Sequence, residues 1–198
     1  IWEILINELS WNTFNNKTEV QNEISRINRH GSWYFDYLSE QSRPYIQFVI
    51  QELKRRNLPL ELALLPFIES NYDPNAFSHG SAAGFWQIMK QTGREYGLEV
   101  NNAIDERYHL EKATVVACEY LQDSYKKFGS WTMAAASYNM GKNGAKRKIN
   151  NQYSNNYESP SFKFKLDGVV FFGDFFVFQH IYSCMGFYDL YEWVILTI

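Results

Sequence analysis

Residues 64–74 read LLPFIESNYDP, so five apolar residues precede Glu69 and a polar turn follows it. Charged side chains are seldom buried without a partner, so this carboxyl is either a solvated helix end or a group held in a dry cleft. The apolar run begins earlier, with PLELAL at residues 59–64. Its length and composition predict a central, buried helix. Pro66 is expected to bend that helix or to tighten its last turn.

Helical periodicity extends to both sides of this segment. Upstream, RPYIQFVIQELKRRN has apolar residues at steps of three and four, namely Tyr45, Phe48, Val49 and Leu53. This spacing predicts an amphipathic helix. Downstream, ERYHLEKATVVACEYLQDSYKKFG predicts a long helix closed by Gly129. The chain is therefore expected to fold as a mainly α domain.

Two further helices are predicted around glycine-rich turns. A short helix is expected to begin near Gly84 or Phe85 and to carry WQIM, ending at Gly93 or Gly97. Ser130 is expected to cap the helix WTMAAASYNMG, whose alanines allow close packing and which Gly141 would end.

Composition excludes several classes of function. A net charge of −3 over 198 residues argues against a sequence-independent nucleic-acid binder, which needs a basic face. No apolar run reaches the length of about 18 residues that a membrane-spanning helix requires. Cys118 and Cys184 lie far apart without zinc-ligand spacing, so no metal site is indicated, and they form either one disulfide or two free thiols.

A basic patch follows Gly141 and consists of Lys142, Lys146, Arg147 and Lys148. It is interpreted as a solvated loop or short helix, or else as a contact for an anionic polymer.

Four motifs in this order carry a resemblance. PLELALLPFIES, AFSHGSAAGFWQIM, TGREYGL and AAASYNMG resemble the lytic transglycosylase domains (SLT type) of glycoside hydrolase family 23, most closely the membrane-bound D type. The resemblance covers roughly Trp33 to Asn150. It implies a lysozyme-like helical fold with a substrate groove. It also implies cleavage of the β-1,4 bond between N-acetylmuramic acid and N-acetylglucosamine, with formation of 1,6-anhydromuramic acid ends.

Glu69 matches the single catalytic acid/base of that family. A carboxyl that first donates a proton needs a raised pKa, and apolar neighbours raise it by penalising the charged form. This interpretation favours the dry cleft over the solvated helix end. Ordinary glycosidases use two carboxyls, whereas the family lets the substrate's N-acetyl group and 6-hydroxyl supply the missing parts.

The resemblance also implies substrate-binding residues. Ser78 matches a loop serine near the N-acetyl group, with loop capping as the alternative. Gln87 matches a substrate-contacting glutamine, and Trp86 is either a stacking platform for a sugar or a core residue. Tyr138 and Asn139 match a Tyr-Asn pair in which the tyrosine orients the acid and the asparagine holds the cleft together; a core position is the alternative for Tyr138.

Two rival functions stay open. A goose-type hydrolase would position a water with a second acid such as Asp73 or Asp105, and a glycan-binding module would not cleave at all. The tail adds to the second alternative, because YDL occurs only at residues 188–190 and lacks the Glu-Thr pair that follows it in the family.

The resemblance sets the expected organisation and setting. We expect an N-terminal helical extension over residues 1–30 and the catalytic domain over residues 31–198, with the clear motif match at 33–150. The expected partner is the glycan strand of peptidoglycan, with no metal or organic cofactor and no nucleic acid. The expected location is the bacterial cell envelope, in the periplasm or anchored to the outer membrane through a segment not in this chain.

Overall fold

The computed structural model describes residues 32–155 and the isolated positions 8, 25 and 29. Within 32–155 the chain forms mainly helices, as predicted. In order these are α1 (Ser32–Ser42), α2 (Ile46–Arg55), a 3-10 helix (Leu60–Leu64), α3 (Leu65–Ser70), β1 (Ala82–Ala83), β2 (Ile88–Met89), α4 (Lys90–Glu95), a second 3-10 helix (Glu106–Tyr108), α5 (Leu110–Phe128) and α6 (Trp131–Asn155). None of the helices in this described part is long and apolar enough to cross a membrane.

The apolar segment before Glu69 lies at the centre of the core, as predicted. Every residue from Leu60 to Phe67 is buried. The segment nevertheless forms two elements, because a 3-10 helix ends at Leu64 and α3 begins at Leu65. Pro66 lies in the first turn of α3, where a missing backbone N–H leaves no hydrogen bond unmade. The proline therefore begins a helix here and does not tighten the end of one.

Helix α2 has the predicted amphipathic character. Ile46, Val49, Ile50 and Leu53 are buried on one side, and the helix packs against the first 3-10 helix and α5. Glu52 is buried on the same helix and accepts hydrogen bonds from Arg55 and Arg56. A charged group is therefore held close to the core, with cations supplied by its own helix.

Helices α5 and α6 make the largest contact between elements in the described range. Gly129 ends α5 in the left-handed conformation, and the Ser130 hydroxyl accepts a hydrogen bond from the Met133 N–H at the start of α6. Both capping predictions are confirmed. Ala134 and its two following alanines are fully buried, which lets α6 approach closely.

Gly141 ends the first of two helical segments within α6, as predicted. Its backbone has φ 74° and ψ 151°, a conformation outside the helical region, and a second helical segment follows it as far as Asn155. Only glycine adopts such a conformation readily, which explains the break at this position.

The predicted short helix from Gly84 is absent from this part of the chain. Residues 84–87 form a turn, and β2 pairs antiparallel with β1, so that Ala83 faces Ile88. Gly84 and Gln87 both have positive φ, which a right-handed helix does not permit. A side chain on Gly84 would place its Cβ 2.1 Å from the carbonyl oxygen of Arg107, so the turn depends on glycine. The next helix, α4, begins only at Lys90.

Candidate active site

Glu69 lies in the last turn of α3, just before a strained reversal of the chain. Asn71 and Tyr72 have φ of 54° and 60°, two successive left-handed residues without a glycine. Such conformations cost on the order of 1 kcal/mol or more each and persist only where the surroundings fix them. Tyr72 is fully buried, and its hydroxyl donates a hydrogen bond to the Ala63 carbonyl at 2.7 Å. The reversal that follows Glu69 is therefore held from inside the core.

The Glu69 carboxyl is shielded and has no partner for one of its oxygens. Within the described residues, Oε1 is buried and makes no hydrogen bond. Burial raises the pKa of Glu69 to about 7, because it penalises the charged form and no cation compensates. At neutral pH such a carboxyl is divided between its protonated and ionised forms, so it can both donate and accept a proton. These properties match the dry environment and not the solvated helix end.

The turn at residues 84–87 is hydrogen-bonded to two helices, α3, which carries Glu69, and α6. Ser70 Oγ donates to the Phe85 carbonyl at 2.8 Å. Tyr138, from α6, donates its hydroxyl proton to the Trp86 carbonyl, also at 2.8 Å. The pKa of Tyr138 is well above its usual value because of burial and, secondarily, the charge of Glu69. The two hydrogen bonds show that α3, α6 and this turn meet at one place.

Gln87 and Ser78 brace the loop that leads into this turn. The Gln87 side-chain amide donates to the carbonyls of Gly84 at 2.9 Å and Ala76 at 3.3 Å. Ser78 Oγ accepts a hydrogen bond from the Ala82 N–H at 3.0 Å, which is the loop-capping arrangement. Both side chains are half-buried. Their predicted contacts with substrate stay predictions.

Trp86 is a core residue, which corrects its prediction as a sugar-stacking platform. Its ring is fully buried. The indole N–H donates to the Thr114 hydroxyl at 3.0 Å, and the ring packs between Phe85 and Tyr138. No face of the ring is open to a sugar. Asn139, by contrast, is exposed on α6, and its predicted role stays a prediction.

The two acids considered as partners for Glu69 are engaged elsewhere. Asp73 accepts a hydrogen bond from the Asn75 N–H at 2.9 Å, as expected for a turn residue. Asp105 receives two hydrogen bonds from the Arg107 guanidinium, at 2.6 and 2.8 Å. That contact lowers the pKa of Asp105. Neither carboxyl resembles the unpartnered Glu69.

Arg107 supports the site and was not singled out from the sequence. It is 3% exposed, and its Nη1 donates to the carbonyls of Ser81 and Ile88 at 2.7 and 3.0 Å. One buried guanidinium therefore holds both sides of the loop that carries Ser78 and Gln87. The Asp-x-Arg spacing in DERY was the available signal, since an acid two residues away can pair with a buried arginine.

The described residues contain no group of three His, Cys, Asp or Glu side chains arranged to hold a metal ion. Cys118 is a buried thiol on α5, and burial raises its pKa to about 12. Cys184 and the aromatic tail lie outside the described residues, as do nearly all positions of the predicted N-terminal extension. The predictions for those segments are unchanged.

These features define a lysozyme-like helical domain in which the Glu69 carboxyl, at the end of α3, has a buried oxygen without a hydrogen-bond partner among the described residues. The sequence profile of the Transglycosylase SLT domain family matches residues 47–160. The chain belongs to this family. It is 33% identical over 150 residues to membrane-bound lytic murein transglycosylase D of Escherichia coli strain K12, and equally to that of Escherichia coli O6:H1. Each alignment covers 75% of this chain and 33% of the relative, so the chain spans about a third of their length.

Proposed function

We propose that the chain is a peptidoglycan lytic transglycosylase domain. It would cleave the β-1,4 bond between N-acetylmuramic acid and N-acetylglucosamine and leave a 1,6-anhydromuramic acid end. The observation that carries this proposal is the Glu69 carboxyl, which has a buried, unpartnered oxygen and a pKa of about 7. Membership of the family and the similarity to proteins named lytic murein transglycosylase support it.

Glu69 would act first as an acid and then as a base. Its protonated form donates to the glycosidic oxygen while the bond from that oxygen to C1 of the muramic sugar breaks. The substrate's N-acetyl group stabilises the positive charge that develops at C1. The 6-hydroxyl then attacks C1 and gives its proton to the Glu69 carboxylate. Glu69 returns to its starting form and no water is consumed.

The hydrogen bonds of the two other candidate acids favour this scheme over hydrolysis. A hydrolase needs a second carboxylate to activate water, and Asp105 is bound by Arg107 while Asp73 shapes a turn. Tyr138 would orient the acid from α6, where its hydroxyl is fixed by the Trp86 carbonyl. Ser78, Gln87 and Asn139 are the proposed contacts with the sugar.

The proposed substrate places the protein in the bacterial cell envelope. The relatives are named membrane-bound lytic murein transglycosylases, and murein is another word for peptidoglycan. We propose a periplasmic or outer-membrane-anchored location, with any anchor supplied by a segment outside this chain. No metal or organic cofactor is needed for the proton transfers described.

The test is a digestion of purified peptidoglycan followed by mass spectrometry of the muropeptide ends. Wild type should produce anhydro ends, lighter by one water than reducing ends. Glu69→Gln should reduce turnover by about a thousandfold, the size of a lost general acid–base group. Glu52→Gln is the matched control, because it alters a buried glutamate of α2 that is bound by Arg55 and Arg56.

Other products would assign the site differently. Reducing ends from wild type would establish a hydrolase. An unchanged polymer that still binds the protein would establish a glycan-binding module.

A further inference from the structure

Tyr138 lies close to the break in α6. It precedes Gly141 by less than one turn, so the helix does not continue regularly beyond it. The alanines that pack α6 against α5 lie before Tyr138, at residues 134–136. Beyond Tyr138, contacts with other elements hold this part of α6 in place.

Lys142, the first residue after the break, is enclosed by aromatic groups of two other elements. Its ammonium group donates to the Tyr96 hydroxyl at 2.7 Å, and the Tyr96 hydroxyl donates to Asp123 Oδ2 at 3.0 Å. The same ammonium group lies 4.3 Å from the centroid of the Tyr120 ring and 5.4 Å from that of Tyr96. A cation over the face of an aromatic ring is attracted to the electron density of that ring. Lys142 thus joins α6 to α5 and to the end of α4.

The Tyr120 ring connects this cluster to Tyr138. The two rings meet edge to face, with centroids 5.4 Å apart and an interplanar angle of 83°. The Tyr120 hydroxyl donates to the Ser137 carbonyl at 3.1 Å, directly before Tyr138 in the chain. The Tyr138 hydroxyl in turn binds the Trp86 carbonyl. A continuous set of contacts therefore runs from Lys142 to the turn beside Glu69.

We propose that Lys142 is a positioning residue for Tyr138, because its ammonium group holds the Tyr120 ring against Tyr138 and so fixes the hydroxyl bound to Trp86. The effect on turnover rests on the proposed function, whereas the effect on the Tyr138 ring does not. The sequence placed Lys142 in a solvated basic patch. Its contacts separate it from Lys146, which is exposed one turn further along the same helix.

The kinetic test compares Lys142→Met with Lys146→Met, the same change on the same helix. Lys142→Met should lower kcat by about threefold with little change in KM, a loss no larger than the roughly fivefold one expected when the Tyr138 hydroxyl is removed, because a small displacement weakens the action of a positioned group. Lys146→Met should match wild type. In a Tyr138→Phe background, Lys142→Met should cause no further loss, because both changes act through one hydroxyl. The proposal would be overturned if the double variant lost the product of the two single losses in kcat, or if Lys142→Met alone had the kcat of wild type.

A conservative variant and a spectroscopic measurement separate positioning from general damage. Lys142→Arg keeps a cation over the Tyr120 ring and should recover most of the lost kcat. In tyrosine-labelled protein, the Tyr138 ring resonances, assigned by their loss in Tyr138→Phe, should shift in Lys142→Met and not in Lys146→Met. Unshifted resonances would overturn the proposal. If wild type leaves peptidoglycan uncut but the Tyr138 resonances still shift in Lys142→Met, the proposed function is rejected and the positioning role of Lys142 is retained.

Discussion

Two shielded glutamates of this domain have opposite electrostatic environments. The Glu52 side chain is 8% exposed and accepts hydrogen bonds from Arg55 at 2.7 and 2.8 Å and from Arg56 at 2.6 Å. Its pKa is lowered to about 2, chiefly by the Arg55 contact, against the opposing effect of burial. Glu69 has a buried oxygen without a partner, and its pKa is raised to about 7.

The difference teaches that the surroundings of each carboxyl set its protonation: burial favours the protonated form of Glu69, whereas adjacent cations keep Glu52 ionised. The cause is visible in the local sequence. Three and four residues after Glu52 stand Arg55 and Arg56, within reach on the same helix. The corresponding positions after Glu69 are Tyr72 and Asp73, which supply no cation. One glutamate stabilises the fold, and the other is available for chemistry.

The largest effect expected from the difference between Glu69 and Glu52 is the pH dependence of turnover. In the proposed mechanism the protonated form of Glu69 is the proton donor, so activity should fall as the pH rises through about 7. The fall should be tenfold per pH unit, or about a hundredfold by pH 9. Glu52→Gln should show the same midpoint, since Glu52 stays ionised throughout that range. A rate that is constant to pH 9 would contradict the role of Glu69 as the acid.

The second prediction concerns stability at Glu69. Its folded-state pKa is above the unfolded value of 4.5, so the folded state binds more protons and loses stability between pH 4.5 and about 7. Glu69→Gln cannot ionise. Its stability relative to wild type should therefore rise by about 2 to 3 kcal/mol over that interval and then level off. Urea denaturation at several pH values measures this difference, and a constant difference would show that the carboxyl is better solvated than the structure indicates.

The third prediction is the opposite pattern at Glu52. Its folded-state pKa is below the unfolded value, so its contribution is present above about pH 4.5 and is lost as the pH falls through about 2. Glu52→Gln should destabilise the domain by about 2 kcal/mol at neutral pH, because two arginines lose their partner. The gap to wild type should close in acid. Equal urea midpoints at pH 7 would mean that the contacts of Glu52 contribute no net stability.

The smallest expected effect is at Tyr138. Tyr138→Phe removes one hydrogen bond, to the Trp86 carbonyl, and leaves the acid in place. A loss of about 1 kcal/mol corresponds to a roughly fivefold slower turnover. The pH midpoint should stay near 7. Steady-state digestion rates test this, and a rate equal to that of wild type would make Tyr138 a core residue only.

Much of the helical fold was predictable because its causes are local. Val49 and Leu53 recur at helical spacing, and Gly129 and Ser130 mark one helix end and the next helix start. The predicted helix after Gly84 is wrong, and the segment forms a turn and a strand, because a short apolar run fits helix and strand equally well. What decides its conformation is the close approach of the Arg107 backbone, which lies far away in the sequence.

The candidate site divides in the same way. The shielding of Glu69 could be predicted because five apolar residues precede it in the chain, and burial does raise its pKa. Burial of Trp86 depends on Thr114 and Tyr138, and the enclosure of Lys142 depends on Tyr96 and Tyr120. Those partners come from other elements, so neither environment could be recognised without the structure.

The break at Gly141 has a consequence for hydrogen exchange. An uninterrupted helix can fray residue by residue from its far end, and each opened turn weakens the next. In α6 the regular backbone conformation stops at Gly141, so fraying from Asn155 does not pass directly into the half that carries Tyr138. Amide protons between Ala134 and Tyr138 are therefore expected to stay protected while those near Asn155 exchange. A single residue divides the helix into two segments that can open separately.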